Sequence, residues 1–384
     1  MSQTEVQLIK NGAVVDADIN GMSSSKLSGA LPAISGASLT NLPIPAGKTR
    51  NLIINGAMQV AQRGTTYTGG YGTTNPGDYY KTVDRQFVYV AGVPNTDVTT
   101  SQIDITTGSP YDAGFRKAFQ ISMGYQGSTP ANVQVAYSYR MEAQDLANSG
   151  WKHTSSSSYL TLSFWVRSSV AQTFYGQLRT IDGTNYHYPF SYALSADTWT
   201  KVVKTIPGNS NLTLNNDNGE GLRIDLTPYY GTDYTNNSVS LNAWGTHSNS
   251  AKTPDQTATW YQTNGATWQI TGLQLEVGDT ATDFEHRFFS QELALCQRYF
   301  EIGVHGNYGN VTGGGTHKFY SQFKTQKRAT PTLAIISSQE NYVSSVSITA
   351  DPMDATLGCR IQGAVVATGD NKYMDAKFSS DAEL

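Results

Sequence analysis

The stretch VQVAYSYRME at residues 133–142 decides the class of fold. Its odd-numbered positions, from Val133 to Met141, are apolar or aromatic, and four of its five even-numbered positions, from Gln134 to Glu142, are polar. Successive side chains of a β-strand point to opposite faces of the sheet, so this alternation predicts a strand with one apolar and one polar face. The apolar face is expected to lie on a core.

Similar segments surround this strand between residues 49 and 287, and clusters of Gly, Asn, Asp and Pro separate them. Short alternating strands between such turn residues are typical of an all-β sandwich. No strand is followed by a Gly-rich turn and a helix, so the parallel α/β classes that hold nucleotide phosphates are excluded. The other predicted strands are 85–91, 118–122, 159–167, 174–180, 186–194, 199–206, 222–226, 238–244 and 267–277.

A short helix is predicted after the sandwich, capped by Ser290 and ending near Gly303. Further strand patterns follow it. The sequence therefore predicts an all-β protein with a β-sandwich at 49–287, a connector helix at 288–303 and a small C-terminal β-domain at 304–384. The apolar stripe of the helix has spacings of four, three and four residues: Phe289, Leu293, Cys296 and Phe300.

The N-terminal segment, residues 1–48, has a different composition. All aromatic residues lie from Tyr67 onward, and the segment is rich in Ser, Gly and Ala. Its aliphatic residues are too sparse to bury a core within one chain. It is either a flexible linker or a segment that packs against copies of itself or a larger partner, and we favour an assembly anchor. The aliphatic residues expected to make that attachment are Leu27, Leu31, Ile34, Leu39 and Leu42.

Composition and charge exclude several classes of partner. Charged residues are 15% of the 384, and the formal net charge is −4 without a basic block. A protein that neutralises phosphates needs clustered Lys and Arg, so nucleic acid is not expected as a partner. No apolar run approaches the roughly 20 residues of a membrane span, and no secretory signal peptide is recognisable, so membrane insertion is not expected.

Motifs for catalysis or cofactor binding are absent from the sequence. There is no nucleophile elbow, His-Glu-x-x-His motif, Walker loop or calcium-binding loop. Cys296 and Cys359 have no Cys or His at metal-ligand spacing, so neither a disulfide framework nor a zinc site is predicted, and no cofactor is expected. We predict a protein without enzymatic activity. Polysaccharide hydrolysis stays open, because a glycosidase needs only two carboxylates about 5 to 9 Å apart. The acids that could form such a pair are Asp84, Asp182, Asp225 and Glu276.

Aromatic and amide-rich segments favour a glycan-binding site. Sugar rings offer an apolar face to Tyr or Trp and hydroxyl groups to polar side chains. Alternation at 174–180 places three polar or aromatic side chains in one row, and the region 207–266 has aromatic rings in what read as long loops, where recognition residues often lie. The alternative is that these rings fill the core or a subunit interface. Trp165 and Trp199 lie inside strong strand patterns and are assigned to the core. The candidate glycan-binding residues are Tyr175, Gln177, Arg179, Tyr186, Tyr188, Trp244 and Trp260.

Several stretches resemble tail-fibre and related virion proteins of bacteriophages. They occur in the same order along the chain, and the region from 274 to 300 is the most specific. A weaker, low-complexity similarity extends into 27–42. The stretches are NLIING at 51–56, QRG at 62–64, VDR at 83–85, LSFWVR at 162–167, GLQLEVG at 272–278, DFEHR at 283–287, LCQRYF at 295–300, RATP at 328–331 and DAEL at 381–384.

This resemblance implies a jelly-roll sandwich akin to carbohydrate-binding modules, usually trimeric, displayed on a phage particle and in contact with the bacterial surface. The motif residues themselves are expected to be structural: Leu273, Leu275 and Phe284 in the core and 285–287 at the bend into the helix. Some relatives hold a structural calcium ion, but no ligand set can be assigned here. Only about 48 residues precede the sandwich, so a short spike or a capsid-attached protein competes with a long fibre.

We therefore predict a homotrimeric virion protein, a tail fibre or short spike, on the surface of the phage particle, and we favour the tail over the capsid. It docks to other phage proteins by residues 1–48 and binds host-surface glycan through its β-domains. The alternatives are a structural decoration or adaptor protein without glycan binding, and a polysaccharide-degrading tailspike.

Overall fold

The computed structural model describes residues 50–69, 79–94, 97–311, 315–366 and 369–384. Residues Thr49–Leu384 form one compact unit. Within the described residues, no helix is long and apolar enough to cross a membrane. The predicted attachment residues all lie outside the described part of the chain: Leu27, Leu31, Ile34, Leu39 and Leu42.

Two six-stranded antiparallel sheets form the sandwich, with strands numbered along the chain. Sheet 1 has, in spatial order, β1 (Thr66–Thr68), β3 (Val98–Asp104), β4 (Lys117–Met123), β12 (Ala266–Val277), β6 (Tyr159–Ser168) and β9 (Thr200–Pro207). Sheet 2 has β11 (Gly245–Thr246), β8 (Tyr186–Leu194), β7 (Gln172–Thr180), β10 (Glu220–Tyr230), β5 (Gln134–Glu142) and β2 (Phe87–Ala91).

Four short helices and two smaller sheets complete the described chain. The helices are α1 (Ser109–Asp112), α2 (Ala143–Ala147), α3 (Thr259–Gln262) and α4 (Phe289–Gln297). The C-terminal sheets are β13-β18-β15 (Phe300–Val311, Gly369–Asp381 and Thr332–Asn341) and β14-β17-β16 (Thr316–Gln322, Gly358–Val365 and Val343–Ala350). This architecture confirms the predicted all-β class and the jelly-roll sandwich followed by a connector helix and a small C-terminal β-region.

The stretch at 133–142 forms β5, and its side chains alternate between the core face and the outer face of sheet 2 as predicted. Val135, Tyr137 and Tyr139 on β5 are buried in the core. The polar face differs from expectation, because Gln134 and Glu142 are 4% and 0% exposed. Loops and the C-terminal region cover that face, so it is polar without being open to solvent along its whole length.

Gly176 on β7 lies where side chains of its two neighbouring strands in sheet 2 fill the space on the core face. A Cβ at this position would lie 2.7 Å from both Leu226 and Phe190. The flanking inward residues Phe174 and Leu178 are fully buried. A glycine is therefore needed at an inward position that otherwise favours a large apolar residue.

The segment before the first strand is fixed to the end of β12 by Asn51. Its Oδ1 accepts hydrogen bonds from the backbone N–H groups of Ile53 (3.0 Å) and Leu275 (3.1 Å), and its Nδ2 donates to the carbonyl oxygen of Leu273 (3.2 Å). The backbone N–H of Asn51 donates to Glu285 Oε2 at 2.7 Å. The NLIING and DFEHR stretches are thus joined to each other and to the end of β12 by hydrogen bonds.

The connector helix is shorter than the predicted 288–303. It spans Phe289–Gln297, and Phe288, not Ser290, is its N-cap. Its first turn is closed by the Phe288 N–H, which donates to Gln291 Oε1 at 3.1 Å. The apolar stripe is only partly covered: Phe289 is 54% exposed, Leu293 is partly buried and Cys296 is buried.

The strand prediction is wrong at two places, one where asparagine residues form turns and one where a strand contains several glycines. The predicted strand 238–244 is a series of turns, in which the Ser238 N–H donates to Asn236 Oδ1 (2.9 Å) and Asn242 has a left-handed φ of 57°. Conversely, Phe300–Val311 is a strand where the helix was expected to continue to Gly303. Glycine weakens isolated strands, so β13 depends on its pairing with β18.

Trp165 and Trp199 are partly buried and lie outside the main core, contrary to prediction. Alternation along β6 places Phe164 in the core and Trp165 on the opposite face. Trp199 precedes β9. Both pack against a small cluster around Phe115 on the outer side of sheet 1.

Charged side chains join the sandwich to the C-terminal region. Arg85, which is 1% exposed, forms an ion pair with Glu383, and its guanidinium carbon lies 3.5 Å from the centroid of the Tyr299 ring. Arg63 pairs with Asp381 at 3.0 Å and with Glu383 at 3.3 Å. We call Arg63, Arg85, Asp381 and Glu383 the junction.

Candidate functional site

A cleft of about 340 Å³ lies on the outer face of sheet 2, over β5, β10 and β7. This volume is within the range of small-ligand sites. The polar residues of the strand quoted first form part of its floor. The cleft is lined by Phe87, Tyr89, Gln134, Ala136, Ser138, Gln177, Arg179, Arg223, Asp225, Tyr230, Tyr234, Asn249 and Lys252.

A chain of hydrogen bonds crosses the floor over four neighbouring strands. Ser138 Oγ donates to Asp225 Oδ1 at 2.6 Å, and Gln177 Nε2 donates to Asp225 Oδ2 at 3.0 Å. Gln177 Oε1 is 2.9 Å from His187 Nδ1. Strand pairing produces this order, because Asp225 lies directly opposite Ser138 on one side and Gln177 on the other. The floor is therefore pre-organised before any ligand arrives.

The direction of these bonds fixes the state of His187. The Asp225 carboxylate accepts, so Gln177 must turn its NH₂ group toward it and its oxygen toward His187. Nδ1 of His187 then carries the proton, and Nε2 keeps a free lone pair. Burial, with the nearby charge of Arg179, lowers the pKa of His187 to about 4, so the ring is neutral at pH 7.

A second row on the same face brings arginines together. Arg223 on β10 lies directly opposite Arg140 on β5 and Arg179 on β7. Glu220 accepts two hydrogen bonds from Arg223, at 2.6 and 2.8 Å, and lies 3.8 Å from Arg140. No described carboxylate forms an ion pair with Arg179, and its Nε is buried without a hydrogen-bond partner. In the amide orientation of Asn185 that forms hydrogen bonds through both its oxygen and its nitrogen, the oxygen accepts a hydrogen bond from Arg179 Nη2 at 2.8 Å.

Lys252 adds a further cation at the rim of the cleft. Its Nζ donates to Gln134 Oε1 at 2.6 Å and lies 5.0 and 4.8 Å from the ring centroids of Tyr230 and Tyr234. Burial lowers its pKa to about 8, an effect that Asp225 opposes. The ammonium group is therefore charged in most molecules at pH 7.

Aromatic rings form two walls of the cleft. Tyr89 on β2 and Tyr234 in the 3₁₀ turn Thr232–Tyr234 are partly buried, so each ring keeps a surface for contact. Phe87 and Tyr230 lie deeper, at 2% and 4% exposure. The cleft thus combines ring faces on its walls with hydrogen-bonding groups on its floor.

The structure brings only two of the predicted glycan-binding residues into the cleft. Gln177 and Arg179 line it. Tyr175, two residues earlier on β7, lines a separate depression of about 280 Å³ that also contains Asp255. Alternation alone placed these three side chains on one face, but it did not show where that face is open.

Tyr188 lies in the core, which corrects its assignment to a binding site, while Tyr186 and Trp244 are partly buried and lie outside the cleft lining. Tyr188 is 6% exposed in the core, and Tyr186 and Trp244 pack against that core. The indole Nε1 of Trp244 donates to the carbonyl oxygen of Pro207 at 2.6 Å. On β8 the residue that faces outward is His187, between the two tyrosines.

Trp260 is a core residue, which is a second correction. It is 0% exposed in α3, and its Nε1 donates to the carbonyl oxygen of Thr267 at 3.0 Å. The sequence places it in a long polar region that resembles a loop. A single helical turn over the sandwich is enough to bury the ring.

Sequence reasoning missed most of the cleft, although a signal was present. Leu222, Ile224 and Leu226 are all fully buried on β10, so Arg223 and Asp225 between them face outward. The same alternation at 133–142 marks Ser138 as outward. What the sequence does not show is that these two strands are neighbours.

Among the described residues, no group of three or more His, Cys, Asp and Glu side chains is placed to hold a metal ion. The predicted absence of a cofactor and the unassigned calcium ion both stay predictions.

Comparison with known proteins gives structural neighbours at low similarity. No family model matches the sequence, and no curated protein matches it. A protein from Bacteroides thetaiotaomicron assigned as sugar-binding is 11% identical with a TM-score of 0.33, over 60% of this chain and 100% of that chain. A family 4 carbohydrate-binding module is 11% identical with a TM-score of 0.29, over 58% of this chain and 98% of that chain.

A family 11 carbohydrate-binding module from Clostridium thermocellum, in complex with a β-1,3-1,4-mixed-linked tetrasaccharide, is 13% identical with a TM-score of 0.26. That match covers 58% of this chain and 97% of the module. At TM-scores this low, the similarity carries no argument about what this chain binds.

Proposed function

We propose that this chain is a glycan-binding protein without catalytic activity and that the cleft on sheet 2 is its binding site. The observation that carries the proposal is the pairing of two accessible tyrosine rings, Tyr89 and Tyr234, with the hydrogen-bonded floor around Asp225. A sugar ring offers an apolar face to the tyrosine rings and hydroxyl groups to the hydrogen-bonded floor.

The floor is suited to binding rather than to bond cleavage. Glycoside hydrolysis needs two carboxyl groups, about 5 to 9.5 Å apart, with one acting as a proton donor. Of the described residues that line the cleft, Asp225 alone is a carboxylate, and both of its oxygens accept hydrogen bonds from neutral groups. In this proposal Asp225 orients Ser138 and Gln177 for hydroxyl recognition.

The wider role in the proposal is attachment of a phage particle to its host. The support is the resemblance of the stretches at 51–56, 272–278 and 283–287 to tail-fibre proteins. The chain is then a homotrimeric virion protein, a tail fibre or short spike, that docks by residues 1–48. A shallow cleft binds weakly, and many copies on one particle raise the effective affinity by roughly 10² to 10⁴.

The test of glycan binding compares tyrosines inside and outside the cleft. A panel of bacterial surface polysaccharides is measured by isothermal titration calorimetry against the full chain and against the Tyr89→Ala and Tyr234→Ala variants. Each substitution should weaken binding roughly 2- to 10-fold, because an aromatic contact contributes about that much. Tyr320→Ala is the matched control, since Tyr320 is 50% exposed on β14, outside the cleft lining.

Three outcomes count against parts of the proposal. Binding that is lost equally in all three variants places the site elsewhere. New reducing ends in the mixture mean that the protein degrades polysaccharide. If no polysaccharide binds and light scattering shows a stable monomer at micromolar concentration, a decoration or adaptor protein replaces the attachment protein.

A further inference from the structure

We propose that the cleft selects acidic glycans and that Arg179 binds their anionic group. This inference rests on the proposed glycan-binding function and adds the chemical class of ligand. The anionic group is a carboxylate or a phosphate, both of which offer oxygen pairs that match the planar fork of a guanidinium group.

The first argument is the position of Arg179 in the sheet. Like charges directly opposite each other on neighbouring strands destabilise a sheet. Arg179 lies directly opposite Arg223, which itself lies opposite Arg140. A sheet that is selected only for stability has no reason to keep three arginines in one row.

The second argument is the distribution of negative charge. Glu220 forms ion pairs with Arg223 (2.6 Å) and Arg140 (3.8 Å) and so neutralises that end of the row. Arg179 has no corresponding carboxylate among the described residues, and its Nε has no hydrogen-bond partner. Of the two carboxylates that raise the pKa of Arg179, Asp225 has a larger effect than Glu220, and each oxygen of Asp225 already accepts a hydrogen bond, one from Ser138 and one from Gln177.

The third argument is the balance of charge in the cleft. Three cationic side chains line it, Arg179, Arg223 and Lys252, against one carboxylate, Asp225. The whole chain has a net charge of −4, so the cleft has the opposite sign to the protein. A partly buried site of one sign concentrates field lines and attracts ligands of the other sign.

These observations share one physical explanation. A partly buried guanidinium group loses hydration, and its positive neighbours add repulsion, which is why the pKa of Arg179 is lowered. The unfavourable energy persists in the free protein and is relieved when an anion enters. An anionic ligand therefore gains more from this cleft than a neutral ligand of the same shape.

The experiment uses pairs of polysaccharides that differ only in charge. Uronic-acid polysaccharides from bacterial surfaces are compared with their carboxyl-reduced forms, and phosphate-bearing polysaccharides with their dephosphorylated forms. Removing the charge should weaken binding about 10- to 100-fold, as expected when a hydrogen bond to a charged group is lost. The arm that shows this loss identifies the anion.

Protein variants then assign the effect to Arg179. Arg179→Met should lower the ratio of the affinities for the charged and neutral polymers by about the same factor. Arg179→Lys should retain part of the preference, because it keeps the charge and loses the fork. The control is Arg167→Met, because Arg167 is paired with Asp197 on the other sheet.

The outcomes separate this inference from the proposed function. If charged and neutral polysaccharides bind equally well, the preference for acidic glycans is overturned. If Tyr89→Ala still weakens the binding of both polysaccharides, the cleft remains the glycan-binding site. A preference that survives Arg179→Met overturns the role of Arg179. If no polysaccharide of any charge binds, the proposed function itself fails.

Discussion

The cleft and the junction are both built from charged side chains around sheet 2, and they differ in how completely the charges are paired. At the junction, Arg85 is 1% exposed and its partner Glu383 is also buried. In the cleft, Glu220 pairs with Arg223, while Arg179 has no carboxylate partner among the described residues. A buried cation with a resident anion holds the structure together, and a cation without one is available to a ligand.

Because the arginines of the junction are paired and Arg179 in the cleft is not paired with a described carboxylate, Arg→Met substitutions should affect stability differently in the two regions. The largest loss of stability is expected at the junction. Arg85→Met should lower the free energy of unfolding by about 3–5 kcal/mol, since it leaves Glu383 buried with fewer partners. Urea denaturation measures this loss. Arg167→Met is the control, because its ion pair with Asp197 is exposed and is worth about 0–1 kcal/mol. Equal effects of the two substitutions would show that the junction contributes no more than a surface pair.

A second prediction concerns Trp260, which lies in the core and not in the cleft. Trp260→Ala should lower the free energy of unfolding by about 3–5 kcal/mol through loss of apolar burial and the cavity that remains. Glycan affinity, measured on the fraction that stays folded, should be unchanged. A variant of full stability with weaker glycan binding would return Trp260 to the binding site.

A smaller effect is expected from pH, through His187, the neutral histidine that is hydrogen-bonded to Gln177 in the cleft floor. The pKa of His187 is about 4 in the folded chain, against 6.5 for an ordinary histidine. Between these values the unfolded chain binds a proton that the folded chain does not, so the contribution of His187 to stability is lost as pH falls from about 6.5 to 4. The loss should be on the order of 1–3 kcal/mol.

The His187→Asn variant isolates this contribution. Asparagine can still donate to Gln177 Oε1, so the floor of the cleft is kept, but it does not titrate. Burial raises the pKa of Asp84 to about 6, which acts in the opposite direction and is present in both proteins. Burial, with the charges of Arg179 and His187, lowers the pKa of the adjacent His247 to about 3. The difference between the two stability–pH curves therefore reports His187 together with its effect on His247, and identical curves would contradict the assignment.

The smallest expected effect on stability is at Arg179. Arg179→Met should change the free energy of unfolding by no more than about 0.5 kcal/mol, because it removes a repulsion with Arg223 and no ion pair. Thermal unfolding without ligand provides the measurement. A loss as large as that of Arg85→Met would mean that Arg179 is structural and that the contrast between the two regions is false.

Prediction from sequence succeeded where the information is local. Alternation along 133–142 and 174–180 gave the inward and outward faces of β5 and β7, and it identified Gln177 and Arg179 on the outer face. The prediction was wrong at 238–244, where asparagine side chains form turns. It was also wrong at β13, where glycines interrupt the alternating pattern of a strand.

Side-chain type alone gave the wrong answer for two rings. Tyr188 and Trp260 have the chemistry that sugars require, yet their rings are buried in the core. Tyr89 and Tyr234 have the same chemistry and line the cleft. The difference arises from which neighbours cover each ring, and no sequence pattern in a single chain reports that.

What the sequence by itself determined is the all-β class and the face of each strand, because the pleat is set by adjacent residues. What only the tertiary structure decided is the site. Ser138, Asp225, Gln177 and His187 come from four strands, and they meet because β5, β10, β7 and β8 pair in an order that differs from their order in the chain. Strand order depends on contacts between distant segments, and so does the charge that it leaves unpaired on Arg179.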